Sequence, residues 1–318
     1  MVKCFNCAGK AVVELSYAGA AFCQPCFFRH FERLVRKANR EFRLVRRGDR
    51  IAVAVSGGKD SAALLWSVKY LAELAGDVRV FPVLVDEGIA GYRPHAIVKA
   101  RQLCKKLGFG LKVVSFKQLF GRQLDAIIRK RDSGKSKGEG ACAYCGVLRR
   151  KALEKTAKQL RCNKLALGHN ADDLAQTFLM NLLKGEAGRN ARLRLNDEGD
   201  SPFVRRIRPL TFVPERECAL FALMNGLPFH LGECPYSTEA FRGTVKDFLN
   251  EAECRHPGTK LKLLNSFLEL RNAVVPKDAS AVKCRECGAP SFNETCRACQ
   301  LTRALNGGKP RSRSVKRR

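Results

Sequence analysis

Between Arg50 and Gly185 short apolar runs alternate with amphipathic stretches, and this alternation restricts the fold more than any other feature. RIAVAV, VRVFPVLV, LKVVSF and KLALG read as buried strands; SAALLWSVKYLAELA, PHAIVKARQLCKKLG, CGVLRRKALEKTAKQL and DDLAQTFLMNLLKG read as the helices between them. Strands without a polar face, separated by helices, imply a parallel sheet with helices on both faces. Ligands of such sheets bind beyond the carboxyl ends of the strands. Polar, glycine-bearing stretches from Asp132 to Gly140 and from Gly185 to Ser201 read as linkers.

The first expected strand runs into AVSGGKDSAALL. This is not a Walker A loop, because Asp60 follows Lys59 where Ser or Thr belongs and Val53 occupies the place of the first glycine. The physics of anion binding is nevertheless present. Gly57 and Gly58 let backbone approach a phosphate, and a helix starting near Ser61 points unpaired N–H groups and a positive dipole end at it. Ser56 and Ser61 offer hydroxyls, and Lys59 offers charge.

The chain has fifteen cysteines. No secretory leader is evident at the start, so a reducing, cytoplasmic setting is expected, where clustered cysteines point to metal or redox chemistry instead of disulfides. Cys4, Cys7, Cys23 and Cys26 form C-x2-C-x15-C-x2-C, and Cys284, Cys287, Cys296 and Cys299 repeat it with an eight-residue spacer. Both spacings suit four thiolates around a structural Zn2+, so two zinc ribbons are expected. Cys104, Cys162, Cys218 and Cys254 sit in or beside helical runs and read as structural. Cys142 and Cys145 form a further pair at a helix start, whose positive end should favour thiolate. Cys234 lies in the turn-forming GECPYS. A redox dithiol, an iron–sulfur site and plain structural thiols or zinc all remain open for these three.

Lys and Arg number 59 against 30 Asp and Glu, a formal charge of +29. That excess suggests a polyanionic partner, nucleic acid first. No apolar stretch approaches the ~18 residues of a spanning helix, so no membrane is expected. FFRHFERLVRKANREFRLVRR reads as an amphipathic helix with a basic stripe suited to nucleic acid, and the terminal KPRSRSVKRR reads as a disordered basic tail.

SGGKDS resembles the loop of the PP-loop ATPases, which cleave ATP between its α and β phosphates. VDEGIAGYR (85–93), CAYCGVLRRKALE (142–154), GHNADDLAQTFLMNLLKGEAGR (168–189) and GECPYSTEAFRG (232–243) are similar to tRNA 2-thiouridine synthetases, closest to the cytosolic wobble-uridine branch. The resemblance implies an α/β fold, a PP-loop (Rossmann-like) parallel sheet flanked by N- and C-terminal zinc ribbons. The expected divisions are a ribbon at 1–30, a basic linker helix at 31–49, the ATP-binding catalytic domain at 50–275, a second ribbon at 276–304 and the tail at 305–318.

It further implies ATP with Mg2+ bound by Ser56, Gly57, Gly58, Lys59, Asp60, Ser61, Arg149 and Gly168. Asp173 matches the family's catalytic aspartate; Asp172 reads equally as a helix cap. Cys142, Cys145 and Cys234 match cysteines that hold a [4Fe-4S] cluster, which leaves one iron without a protein ligand. The implied partners are tRNA with U at position 34, and a sulfur donor: free sulfide, a persulfide carrier or a thiocarboxylated ubiquitin-like protein. A homodimer is compatible, although no segment reads as its interface. The implied reaction is ATP-dependent 2-thiolation of uridine 34. Thiolation of uridine 54 and a noncatalytic tRNA-binding scaffold are the alternatives.

Overall fold

The computed structural model describes residues 2–133, 139–186, 188–191, 195, 202–237, 241–273 and 281–305. Parts of both expected linkers, the 275/276 boundary and tail residues 306–318 lie outside the described residues.

A hairpin of β1 (Val13–Leu15) and β2 (Ala20–Phe22) leads into α1 (Gln24–Phe42). Pro25 sits in the first turn of α1, where a missing N–H costs nothing. The helix therefore starts inside the N-terminal cysteine set and runs unbroken across the expected 30/31 boundary. Its apolar face buries Cys26, Phe27, Phe31, Val35, Ala38 and Phe42.

The alternating region then follows as β3 (Arg50–Ala54), α2 (Lys59–Ala75), β4 (Arg79–Asp86), α3 (Arg93–Leu107) and β5 (Lys112–Ser115). After it come α4 (Phe116–Phe120), α5 (Leu124–Asp132), α6 (Ala141–Gln159), β6 (Lys164–Ala166), α7 (Ala171–Leu183) and α8 (Gly188–Ala191). The chain continues through β7 (Arg205–Ile207), α9 (Glu215–Met224), α10 (Arg242–Arg255) and α11 (Thr259–Ala273). It closes with the short pair β8 (Val282–Lys283) and β9 (Pro290–Ser291) and with α12 (Arg297–Leu305).

Strands β3 to β7 form one parallel sheet in the order β5-β4-β3-β6-β7. Side chains alternate between its faces. Ile51, Val53, Leu84, Ala166 and Ile207 belong to the larger core shared with α1, α2 and α9. Ala52, Val83, Val85 and Leu165 face the other way, with Leu148, Ala152 and Leu153 of α6. The order of connection reverses between β3 and β6, so the loops leaving their carboxyl ends part and open a crevice.

Candidate active site

The loop leaving β3 lies at that crevice. Gly57 has φ +92, and a Cβ there would come within 2.3 Å of the Ala96 carbonyl oxygen, so no side chain is tolerated. Ser61 Oγ accepts from Gly57 N at 3.2 Å and donates to Gly58 O at 2.8 Å, fixing the turn ahead of α2. The helix begins at Lys59, two residues before the expected start. Lys59 Nζ bonds Asp60 Oδ2 at 2.9 Å and Glu215 Oε1 at 2.8 Å. Burial opposes its charge, but these carboxylates outweigh it and hold the pKa above the usual lysine value. Gly168, in the loop after β6, lies flat against the Asp60 backbone.

A buried carboxylate joins this loop to the cysteine pair. Arg93 Nη1 donates to Ser56 O at 2.9 Å and also pairs with Glu87, which is 1% exposed. The other oxygen of Glu87 pairs with Arg149 Nε at 3.0 Å, and Arg149 Nη2 reaches Cys145 Sγ at 2.9 Å. Burial pushes the Cys145 thiol up while Arg149 pulls it down. The expected lowering at the helix start is therefore not what governs Cys145. Cys142 is exposed, and its Sγ lies 3.4 Å from Tyr236 O, in the turn that also carries Cys234. Residues from three distant segments thus meet at the start of α6.

On the other side of the crevice Asn170 caps α7, sharing reciprocal bonds with Asp173. Asn170 Nδ2 also donates to Asp60 Oδ1 at 3.1 Å, and Arg242 Nη1 reaches Asp173 Oδ1 at 3.2 Å. Burial raises the Asp173 pKa to about 6; Arg242 opposes this, and Asp60 and Glu215 add to it. Asp172 does not cap α7: its oxygens hold Lys260 Nζ at 2.5 Å and the first N–H of α9, Glu215 N, at 2.8 Å, beside the carboxylate that pairs with Lys59. The accessible ring of His169 is ringed by cations. The surrounding protein and the charges of Arg208, Arg242, Arg150 and Arg206 move its pKa downward.

Glu87, Arg93, Asn170, Glu215 and Arg242 had no role in the sequence reading. Glu87 and Arg93 lie within VDEGIAGYR, where an acidic and a basic residue beside a strand end were the available signal.

A PP-loop domain model matches residues 27–253. Cytoplasmic tRNA 2-thiolation protein 1 of Mus musculus is 38% identical over 97% of this chain and 74% of its own length. The protein of that name in Bos taurus is 37% identical over 97% of this chain and 89% of its length. The chain belongs to the PP-loop family of tRNA 2-thiolation proteins. Among solved structures, the U34-tRNA thiolase NcsA from Methanococcus maripaludis, determined with its [4Fe-4S] cluster, superposes with a TM-score of 0.82 at 31% identity. The match covers 96% of this chain and 97% of that one.

Within this thiolation-family fold, the terminal cysteine sets pass a geometric test for metal. In each set the four Sγ atoms lie within 4.8 Å of one another. Three of the Sγ–Sγ edges are 3.6 Å for Cys7–Cys23, 3.7 Å for Cys7–Cys26 and 3.8 Å for Cys287–Cys296. A tetrahedron of sulfurs about 2.3 Å from one Zn2+ has edges of about 3.8 Å. Lys151 Nζ points at Cys287, Cys296 and Cys299 from 3.1, 3.3 and 3.5 Å, and Arg29 Nη2 at Cys26 from 3.0 Å, cations suited to an anionic metal–thiolate centre. Among the described residues, Cys142, Cys145 and Cys234 do not close to single-ion spacing. A four-iron cluster binds each thiolate to a different iron and needs no such closure. Three thiols, Cys142 beside the turn that carries Cys234 and Cys145 three residues along α6, are a donor set compatible with such a cluster.

Proposed function

We propose that this chain is a cytoplasmic, ATP-dependent tRNA sulfurtransferase that replaces the C2 oxygen of uridine 34 with sulfur. The single observation that carries the reading is the bridge from Ser56 through Arg93, the buried Glu87 and Arg149 to Cys145. It fixes a phosphate-binding loop and a candidate sulfur-handling site at one distance and orientation. A scaffold that only binds tRNA has no need of that coupling.

In the first step the uridine O2 attacks the α phosphorus of ATP. The Pα–O bond to the β phosphate breaks, and its electron pair leaves with pyrophosphate. The loop amides of Gly57 and Gly58, the Ser56 and Ser61 hydroxyls and Lys59 stabilise the charge that develops on the phosphates. N3 of the uracil loses its proton as O2 becomes an imidate ester, and Asp173, with a pKa of about 6, is suited to receive it. Asp60 provides a carboxylate for the Mg2+ that accompanies ATP. Hydrosulfide then adds at C2, AMP departs with the C–O electron pair, and the base regains a proton at N3. Cys142, Cys145 and Cys234 would hold the [4Fe-4S] cluster, which supplies an iron with an open coordination position for activating sulfide. Arg149 keeps a positive charge between the cysteines and the phosphates. Arg150 of α6, Arg206 of β7 and Arg242 of α10, whose charges act on His169, offer the cations an RNA backbone needs. Zn2+ in the two terminal Cys4 sets would be structural.

The test is anaerobic incubation of the purified chain with tRNA, Mg-ATP and sulfide. Pyrophosphate release and 2-thiouridine at position 34 by nucleoside mass spectrometry are expected. Sulfur at position 54 with position 34 unmodified would move the assignment to the T loop. Normal tRNA binding without pyrophosphate would favour a scaffold. Iron content and the visible spectrum, compared with Cys142→Ala, test the cluster ligands; an unchanged cluster in the variant rejects them.

A further inference from the structure

Three aromatic rings stand in a row beside the nucleotide loop. The centroids of Tyr92 and His230 are 5.6 Å apart with planes at 55°, and those of His230 and His95 are 5.9 Å apart with planes only 22° from parallel. Two contacts tie the row to the loop. His230 N donates to Gly57 O at 2.7 Å, and Gly57 lies against the carbonyl of Ala96, which follows His95 in the first turn of α3. At the other end Tyr92 precedes Arg93, which holds Ser56 O and Glu87.

His230 is half-buried between its two ring neighbours, and Gly232 closes on its edge, where a Cβ would stand 2.3 Å from Nε2. His95, by contrast, is exposed. Leu231, next in the chain after His230, is 80% exposed, more than any other large apolar side chain among the described residues, and Val98, one helical turn beyond His95, is 52% exposed. The row therefore ends in an aromatic and aliphatic edge open to solvent. A single exposed apolar side chain is ordinary, but this group stands next to the phosphate loop.

Two properties select the occupant. α3 carries Lys99, Arg101, Lys105 and Lys106 and no acidic residue, so the surface that presents His95 attracts a polyanion. The reaction supplies the other property: a base that is to react must leave its stack, and its departure strips the 3′ neighbour of a stacking partner. Rings beside the loop can replace that partner, since every base has a π-face.

We propose that His95 and His230, with Tyr92 behind them and Leu231 at the edge, form a stacking platform for the base at tRNA position 35, uncovered when uridine 34 is drawn toward the nucleotide loop. This rests on the uridine-34 reading. His95 is the ring that meets the base. His230 backs it and, through its bond to Gly57, keeps the platform at a fixed separation from the loop.

The experiment measures kcat/KM for thiolation of tRNA ligated from synthetic halves, either intact or abasic at position 35, by the full chain and by its His95→Ala and His95→Phe variants, with KM for ATP measured in parallel. His95 is exposed, so its replacement does not put the fold at stake. Losing one base–ring stack should lower kcat/KM of His95→Ala on intact tRNA about tenfold, whereas His95→Phe keeps a ring and should stay within about threefold of wild type. On the abasic tRNA wild type and His95→Ala should be equal, because no base is left to lose its partner. The inference is overturned if His95→Ala costs nothing on intact tRNA, or if it slows both tRNAs alike, which would assign His95 to the RNA backbone or to another base. A change confined to KM for ATP would assign the ring to adenine and likewise overturn it. Wild type that leaves position 34 of intact tRNA unmodified would instead reject the uridine-34 reading itself.

Discussion

At Asp173 burial and charge pull against each other, and the balance sets a testable pH limb. Burial disfavours the carboxylate, Arg242 favours it, and Asp60 and Glu215 disfavour it again, which leaves the pKa at about 6. A group that must be ionised to accept a proton then loses activity as pH falls through about 6. The stability effect has the opposite sense. The folded pKa lies above the unfolded value of about 3.9, so raising pH from about 4 to 6 ionises the group at a cost to the fold. Asp173→Asn should therefore lower single-turnover thiolation about 100-fold or more, the contribution typical of a positioned proton acceptor. It should not lower the melting temperature at neutral pH, since the amide oxygen can still accept from Asn170 N. Rates measured from pH 5 to 8 check the limb; a wild-type rate flat across pH 6 removes Asp173 from proton transfer. Lys59 and Asp173 were legible as candidate site residues because their motifs are local. Glu215 was not, because it meets Lys59 across 156 positions of chain.

Helix α6 links three sites through residues one face apart. Cys142 stands in its first turn and Cys145 opens the second, Arg149 reaches Glu87 from the third, and Lys151 turns toward the C-terminal Cys4 set. Its start at Ala141 agrees with the sequence pattern, as do β3 to β6, whose apolar runs can only be buried strands. β7 escaped notice for a physical reason: Arg205-Arg206-Ile207 is a three-residue edge strand with two arginines, and its Leu165 and Ala166 partners supply the apolar contact instead. The Glu87 bridge was equally hidden, because a buried carboxylate between two arginines is a property of three elements and not of any one. Glu87→Gln keeps the size but leaves both guanidinium groups facing a neutral amide. Thiolation should fall by about tenfold or more, in line with one lost charged hydrogen bond per arginine. tRNA affinity should stay unchanged, because Glu87 is 1% exposed and touches no surface. Gel-shift titration beside a thiolation assay separates the two; parallel losses in both would show that the bridge supports the fold instead of the chemistry.

The two ends of the molecule carry the same ligand chemistry with unequal structural weight. Around the N-terminal set, Cys4, Val13, Leu15, Phe22, Cys26 and Phe27 are part of the same core as the central strands. Phe31 of α1 stacks on Phe221 of α9 with ring centroids 3.8 Å apart. Glu217, on the same helix, binds both Tyr17 and His30 beside that set. α9 begins with Glu215, so this end is mechanically continuous with Lys59 of the nucleotide loop. From the C-terminal ribbon Ala298 and Leu301 are buried in a core against α6, Cys296 and Leu305 pack on it, and Lys151 and the Arg297–Glu139 pair are polar ties. Cys7 and Cys287 are both exposed, so replacing either removes one metal ligand without opening a cavity. Metal binding in such sets contributes directly to folding, so the loss should be read out wherever the ribbon is packed. Cys7→Ser should lower the global melting temperature several times more than Cys287→Ser and should also weaken pyrophosphate binding through α9. Cys287→Ser should release one metal ion, melt nearly as wild type, and change the environment of α6. Metal content by mass spectrometry and calorimetric melting of the two variants check this; equal drops in melting temperature would mean that the ribbons stabilise the molecule alike, against their unequal burial.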